Sequence, residues 1–251
     1  MECRPGTAAA AALVIGATVV LALRGVARTP LDQGERGPAA PFIGPRIRAW
    51  YCGLFDPLEE SLAALGVRPD HLTYSQLGVS ILAGAAFASG AVFLAGWLTL
   101  VAGTFDILDG GLARRTGLAS ARGAFIDSVV DRWAEFSTFV GLGVLFRDGW
   151  MVLVVAVAAF ASLMVSYVRA RAEGLGVEMS AGRAQRPERF VILGFGGWIS
   201  GLAAHLLCPV LGRRSHGVLA AAVCVLAVLA VWTTLERARD AAAALRARGP
   251  S

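Results

Sequence analysis

The chain has 251 residues, of which 56% are hydrophobic and only 16% charged, with a formal net charge of +5. An ordinary soluble domain carries roughly 25% charged residues, so this composition excludes a soluble globular protein of the usual kind. All 23 basic residues are Arg, and they gather at the ends of apolar blocks, which points to membrane topology and anionic small substrates and away from nucleic acid. The apolar blocks are each about the ~20 residues that cross a bilayer as a helix.

In chain order, a first apolar block spans about Thr7 to Leu23 and is followed by Arg24, Arg28 and Arg36. It has no convincing small-x-small cleavage site, so residues 1–28 read as an uncleaved anchor helix, with a signal peptide as the alternative. Residues 29–45 hold Pro30, Pro38, Pro41 and Pro45 among several glycines and read as a linker. Across 46–71, Ile47, Trp50, Tyr51, Leu54, Leu58, Leu62 and Leu65 recur at helical spacing. That pattern suits an amphipathic helix in the membrane interface, with Pro57 expected to kink or divide it. Packing on the membrane domain without lipid contact is the alternative.

Six further apolar blocks lie at about 72–89, 91–108, 124–146, 150–170, 189–210 and 217–235. Their connections carry turn signals, including the stretch from Gly110 to Gly123. One alternate set of connections holds Arg114, Arg115, Arg122, Arg169, Arg171, Arg183, Arg186, Arg189, Arg237, Arg239, Arg246 and Arg248. The other holds only Arg147, Arg213 and Arg214. The positive-inside rule puts the first set in the cytoplasm. The expected fold is an all-α integral membrane bundle of six transmembrane helices over 72–240, with an interfacial helix and an anchor helix before it and a tail at 241–251. Cys3, Cys52, Cys208 and Cys224 show no metal-ligand or redox spacing.

The chemistry lies in the acids. Asp106 and Asp109 are i,i+3 at the end of one apolar block; Asp127 and Asp131 are i,i+4 at the start of the next. On helices each pair shares a face, and a short connection lets the faces meet. Carboxylates at membrane depth are costly and repel one another, so cations must balance them. Four oxygen ligands without His or Cys suit Mg²⁺, Mn²⁺ or Ca²⁺ rather than zinc. Two such ions would suit phosphoryl transfer.

The run Asp106-x2-Asp109-Gly110-x2-Ala113-Arg114-x8-Gly123-x3-Asp127-x3-Asp131 resembles, at every position, the signature of the CDP-alcohol phosphotransferase (CDP-alcohol phosphatidyltransferase) family. The resemblance covers roughly residues 50–240. It implies a magnesium-dependent transferase with two ions, Mn²⁺ being the alternative metal, held by Asp106, Asp109, Asp127 and Asp131. It implies that Asp131 also takes the proton of the attacking hydroxyl. The donor would be CDP-diacylglycerol. Asp70, Thr73, Gly110, Arg114 and Ser120 match positions that contact the CDP group, with Asp70 standing where the family usually has Asn. Helix capping is the other reading of Asp70.

The stretches Ser166-Tyr167-Val168-Arg169-Ala170-Arg171-Ala172-Glu173 and Arg186-Pro187-Glu188-Arg189 resemble prokaryotic phosphatidylinositol phosphate synthases within that family. Ser166, Arg169 and Arg189 match a pocket for an acceptor phosphate, and Arg237 a looser fourth member. The acceptor implied is inositol 1-phosphate. Positive-inside charge and snorkelling are the competing account of these arginines. Phosphatidylglycerophosphate synthase stays open, because glycerol 3-phosphate is anionic too. A cation transporter would want its charges at mid-helix, and a non-catalytic membrane scaffold would not need four intact aspartates. The expected setting is the cytoplasmic membrane with the site facing the cytoplasm, among membrane lipids; a homodimer is compatible with it.

Overall fold

Alternating apolar blocks and turn signals become seven helices among the described residues, with no strand. The computed structural model of the chain describes residues 45–179, 186–211 and 216–248. The helices are α1 (Pro45–Ala64), α2 (Pro69–Ala88), α3 (Val92–Thr116), α4 (Ala121–Leu145), α5 (Met151–Gly174), α6 (Arg186–Leu211) and α7 (Gly217–Ala247). The expected anchor helix and almost all of the linker lie outside the described residues.

Each of the six apolar blocks has become a helix. Helices α3, α5 and α7 are long and apolar enough to cross a membrane, by length and composition. Large apolar side chains stand outward, Phe125 at 69% exposure, Trp133 at 59% and Phe160 at 67%. Outside a bilayer such a surface would be unfavourable.

Three boundaries differ from the sequence expectation, one of them at the expected tail of 241–251, where α7 continues to Ala247 because Ala241 is buried against Ala172 and Val177. Helix α1 continues through Pro57 instead of dividing there. Ser61 Oγ donates to the Pro57 carbonyl at 2.8 Å, and the face carrying Phe55 and Leu62 packs on a buried cluster of Leu72, Leu108 and Leu112. That packing outweighs the one hydrogen bond Pro57 cannot donate. Helix α3 likewise runs past Gly110 and Gly111 to Thr116, so the connection is far shorter than the expected Gly110–Gly123 stretch. Each helix-interior glycine costs about 1 kcal/mol relative to Ala, and the buried Leu108 and Leu112 on the same helix offset that.

Helix α3 packs on α1, α2 and α6, while α2 also packs on α4, and α7 on α5 and α6. The main core sits where these helices meet, around Phe87, Phe139, Leu142, Leu219 and Leu226. Helices α2 and α4 touch backbone to backbone: a Cβ at Gly141 would lie 2.6 Å from Gly84 Cα. Small residues at such crossings are how helices associate in lipid, where burial from water supplies no drive. Helix α1 is tied to α3 by Tyr51 Oη and Thr104 Oγ1, 2.6 Å apart. Burial pushes the Tyr51 phenol above its ordinary pKa and the Thr104 hydrogen bond partly offsets this, so the group stays neutral.

Candidate active site

The turn between α3 and α4 is closed at both ends. Gly117 ends α3 in the left-handed conformation, φ 68°, with its N–H turned back to the carbonyls of the last turn. Such a C-terminal cap favours glycine. Ser120 begins α4, its hydroxyl accepting from the Gly123 N–H at 3.1 Å. The chain therefore reverses within a few residues, and the two aspartate pairs are brought face to face.

Asp106, Asp109 and Asp127 each offer a carboxylate oxygen, and these three oxygens lie within 4.8 Å of one another. Asp109 is buried, and Thr73 of α2 donates to its Oδ2 at 2.8 Å. Asp127 keeps one buried oxygen, Oδ1, without a hydrogen-bond partner among the described residues. Clustered hard oxygens with a spare lone pair fit a divalent cation such as Mg²⁺ or Mn²⁺. Asp131 stands outside this trio. It is buried and forms an ion pair with Arg186, whose Nη1 also donates to Asp106 Oδ1 at 2.7 Å.

The expected nucleotide contacts are spread over the same end of α3 and the neighbouring helix starts. Asp70 is in the first turn of α2, two residues beyond the N-cap position Arg68, where it accepts from Arg122 Nη1 at 3.4 Å. A carboxylate there complements the helix dipole, but Asp70 is not itself the cap. A Cβ added at Gly110 would meet the Arg114 guanidinium at 3.3 Å. Arg114 and Ser120 are exposed. Thr73 faces Asp109.

The expected phosphate pocket divides into buried and exposed members. Arg169 is exposed and pairs with Glu173 at 2.8 Å. Ser166 is half-buried one turn earlier. Arg189 is only 3% exposed, pairs with Glu135 at 2.9 Å and donates to the Ser162 carbonyl at 3.0 Å. Arg237 is buried and donates to the Val165 carbonyl at 2.9 Å. Two backbone carbonyls of α5 thus hold arginines from α6 and α7.

Two residues escaped the sequence reading. Glu135 continues the four-residue spacing of Asp127 and Asp131 along α4, a period that was visible as one helical stripe. Arg186 was visible only as part of the Arg186-Pro187-Glu188-Arg189 stretch, with no site role, since only tertiary packing brings the start of α6 to Asp106 and Asp131.

A family model described as CDP-alcohol phosphatidyltransferase matches residues 67–235. The chain belongs to that family. The match covers α2 to α6 and most of α7 and leaves α1 outside it. Among curated relatives of this family member, the archaetidylinositol phosphate synthase of Methanothermobacter thermautotrophicus is 36% identical over 183 residues, covering 72% of this chain and 85% of that protein. The phosphatidylinositol phosphate synthase of Mycobacteroides abscessus is 33% identical over 159 residues, covering 61% of this chain and 72% of that protein. Among solved structures, Mycobacterium tuberculosis phosphatidylinositol phosphate synthase with CDP-DAG bound superposes with a TM-score of 0.62 at 27% identity, covering 74% of this chain and 92% of that one. The same enzyme in complex with manganese and citrate gives a TM-score of 0.64. This CDP-alcohol phosphatidyltransferase family member is a membrane enzyme.

Proposed function

We propose that the enzyme transfers a phosphatidyl group from CDP-diacylglycerol to inositol 1-phosphate, releasing CMP. The observation that carries the reading is the meeting of Asp106, Asp109 and Asp127 within 4.8 Å, with Asp131 one helical turn along. The relatives named as phosphatidylinositol phosphate and archaetidylinositol phosphate synthases support inositol phosphate as the acceptor.

Asp106, Asp109 and Asp127 would hold two Mg²⁺ ions, with Asp131 at their edge. Bound there, the cations would neutralise pyrophosphate charge and stabilise the leaving oxygen. Thr73 fixes the Asp109 carboxylate so that it need not reorganise. Asp131 accepts the proton of the acceptor hydroxyl. The freed oxygen forms a bond to the phosphorus that carries the diacylglycerol. The bond from that phosphorus to the bridging oxygen breaks, and CMP leaves with the electron pair. Gly110, Arg114, Ser120 and Asp70 line the CDP side. Ser166, Arg169, Arg189 and Arg237 supply the cationic side for the acceptor's phosphate.

The bundle would span the cytoplasmic membrane with six helices, placing the aspartates at the cytoplasmic edge where lipid headgroup and soluble alcohol meet. A homodimer is compatible with the outward apolar faces.

The test is CMP release by purified protein with CDP-diacylglycerol and Mg²⁺, offered inositol 1-phosphate, glycerol 3-phosphate, serine and free inositol in parallel. Release with inositol 1-phosphate alone, abolished by EDTA, is expected. Preference for glycerol 3-phosphate would move the assignment to phosphatidylglycerophosphate synthesis.

Arg189→Ala separates pocket from scaffold. Removing a charge-assisted contact is expected to raise KM for inositol 1-phosphate roughly tenfold or more. It also leaves Glu135 buried without its partner, a loss of about 3–5 kcal/mol in stability. Glu135→Gln should share the stability loss with a smaller change in KM. An unchanged KM in folded Arg189→Ala protein removes Arg189 from the acceptor site.

A further inference from the structure

Two arginines leave the first turn of α6, and they are held in different ways. Arg189 is fixed by Glu135 and by the Ser162 carbonyl. Arg186 has no backbone partner among the described residues. Its Nη1 meets both Asp106 and Asp131, while its Nε and Nη2 are buried without hydrogen-bond partners among the described residues. Its guanidinium lies 5.4 Å from the Phe190 ring centroid, an apolar support that fixes position without consuming donors. Among the described residues one nitrogen thus carries its ionic attachment, and that attachment is to the acidic cluster.

Asp106 is also one of the three carboxylates that approach within 4.8 Å. A carboxylate paired with a guanidinium is a weaker ligand for a second cation. Without a metal, four aspartates in a site of low dielectric repel one another, and an internal cation relieves that repulsion.

We propose that Arg186 is a positioning residue that serves as the cluster's built-in counter-cation: it bridges Asp106 and Asp131 in the metal-free enzyme and is displaced as divalent ions enter. The inference rests on the metal-dependent reading of the cluster. It makes Arg186 a competitor of the metal. A residue that merely stabilised the fold would weaken metal binding when removed. A counter-cation has the opposite sign.

The test measures Mn²⁺ affinity by electron paramagnetic resonance on the full chain in detergent, with no lipid or alcohol substrate, in wild type, Arg186→Gln and Arg186→Lys. Arg186→Gln is expected to bind Mn²⁺ about tenfold more tightly, the scale of one charge-assisted contact. Its metal-free melting temperature should fall, and saturating Mn²⁺ should restore it to the wild-type value. Arg186→Lys keeps the charge but not the guanidinium's reach and planar seat near the Phe190 ring, so it should lie between them and provides the readout if the Gln variant does not fold. Mn²⁺ binding to wild type with an equal or weaker constant in the folded variants overturns the counter-cation role alone. No Mn²⁺ binding to any of the three overturns both this role and the metal-dependent function.

Discussion

Asp131→Asn is expected to lower kcat by about a hundred- to ten-thousand-fold, the usual contribution of a positioned general base. Asparagine has nearly the shape of aspartate but does not take up a proton at neutral pH. Asp131 lies inside α4, buried, one turn beyond Asp127. An isosteric amide keeps an oxygen for Arg186 and leaves the helix unchanged. The Asp106, Asp109 and Asp127 oxygens keep their own approach, so CDP-diacylglycerol and Mn²⁺ should still bind. The measurements are CMP release under saturating inositol 1-phosphate and binding of the CDP-lipid by calorimetry. Turnover within tenfold of wild type, with the fold intact, would show that another group takes the proton. Loss of CDP-lipid binding together with turnover would make Asp131 a ligand-holding residue and not the base.

Gly141→Val is expected to destabilise the bundle by about 3 kcal/mol or more, at or beyond the upper end of ordinary overpacking. A Cβ at this position falls 2.6 Å from Gly84 Cα, and the obstacle is backbone, which cannot turn aside as a side chain can. Helices α2 and α4 would have to separate. Activity should fall with stability, because α2 carries Thr73, the hydrogen-bond partner of Asp109, and α4 carries Asp127 and Asp131. Gly143→Ala is the control. Nothing lies within 4 Å of a Cβ there, so replacing a helix-interior glycine should stabilise by about 0.5–1 kcal/mol. Thermal unfolding in detergent distinguishes the two. Equal melting temperatures for Gly141→Val and wild type would mean that the helices are not in backbone contact at this crossing.

The contrast between these two glycines shows where sequence reading ends. Both lie in α4 two residues apart, and nothing in composition or period tells them apart. Only the path of α2 makes one a contact and the other open. The same holds for the basic residues. Arg169, Arg186 and Arg189 all read as positive charge near helix ends. In the fold Arg169 faces outward to Glu173, Arg189 is buried against Glu135, and Arg186 reaches the aspartates. Pro57 and the paired glycines Gly110 and Gly111 are local helix breakers by propensity, yet α1 and α3 pass through them because tertiary packing outweighs a cost of one hydrogen bond or about 1 kcal/mol per residue.

By itself the sequence determined that this is a helical membrane protein, where its six apolar helices lie, and that Asp106, Asp109, Asp127 and Asp131 stand in two pairs, each on one helix face. Those features are periodic or strictly spaced along the chain, and helix geometry converts spacing directly into a shared face. Tertiary structure alone decided that three of the four aspartates converge while Asp131 pairs with Arg186. It also decided that Thr73 serves Asp109 and that Glu135 holds Arg189. Those pairings join residues tens of positions apart, through helix crossings set by close backbone approach, and no local pattern encodes where such a crossing falls.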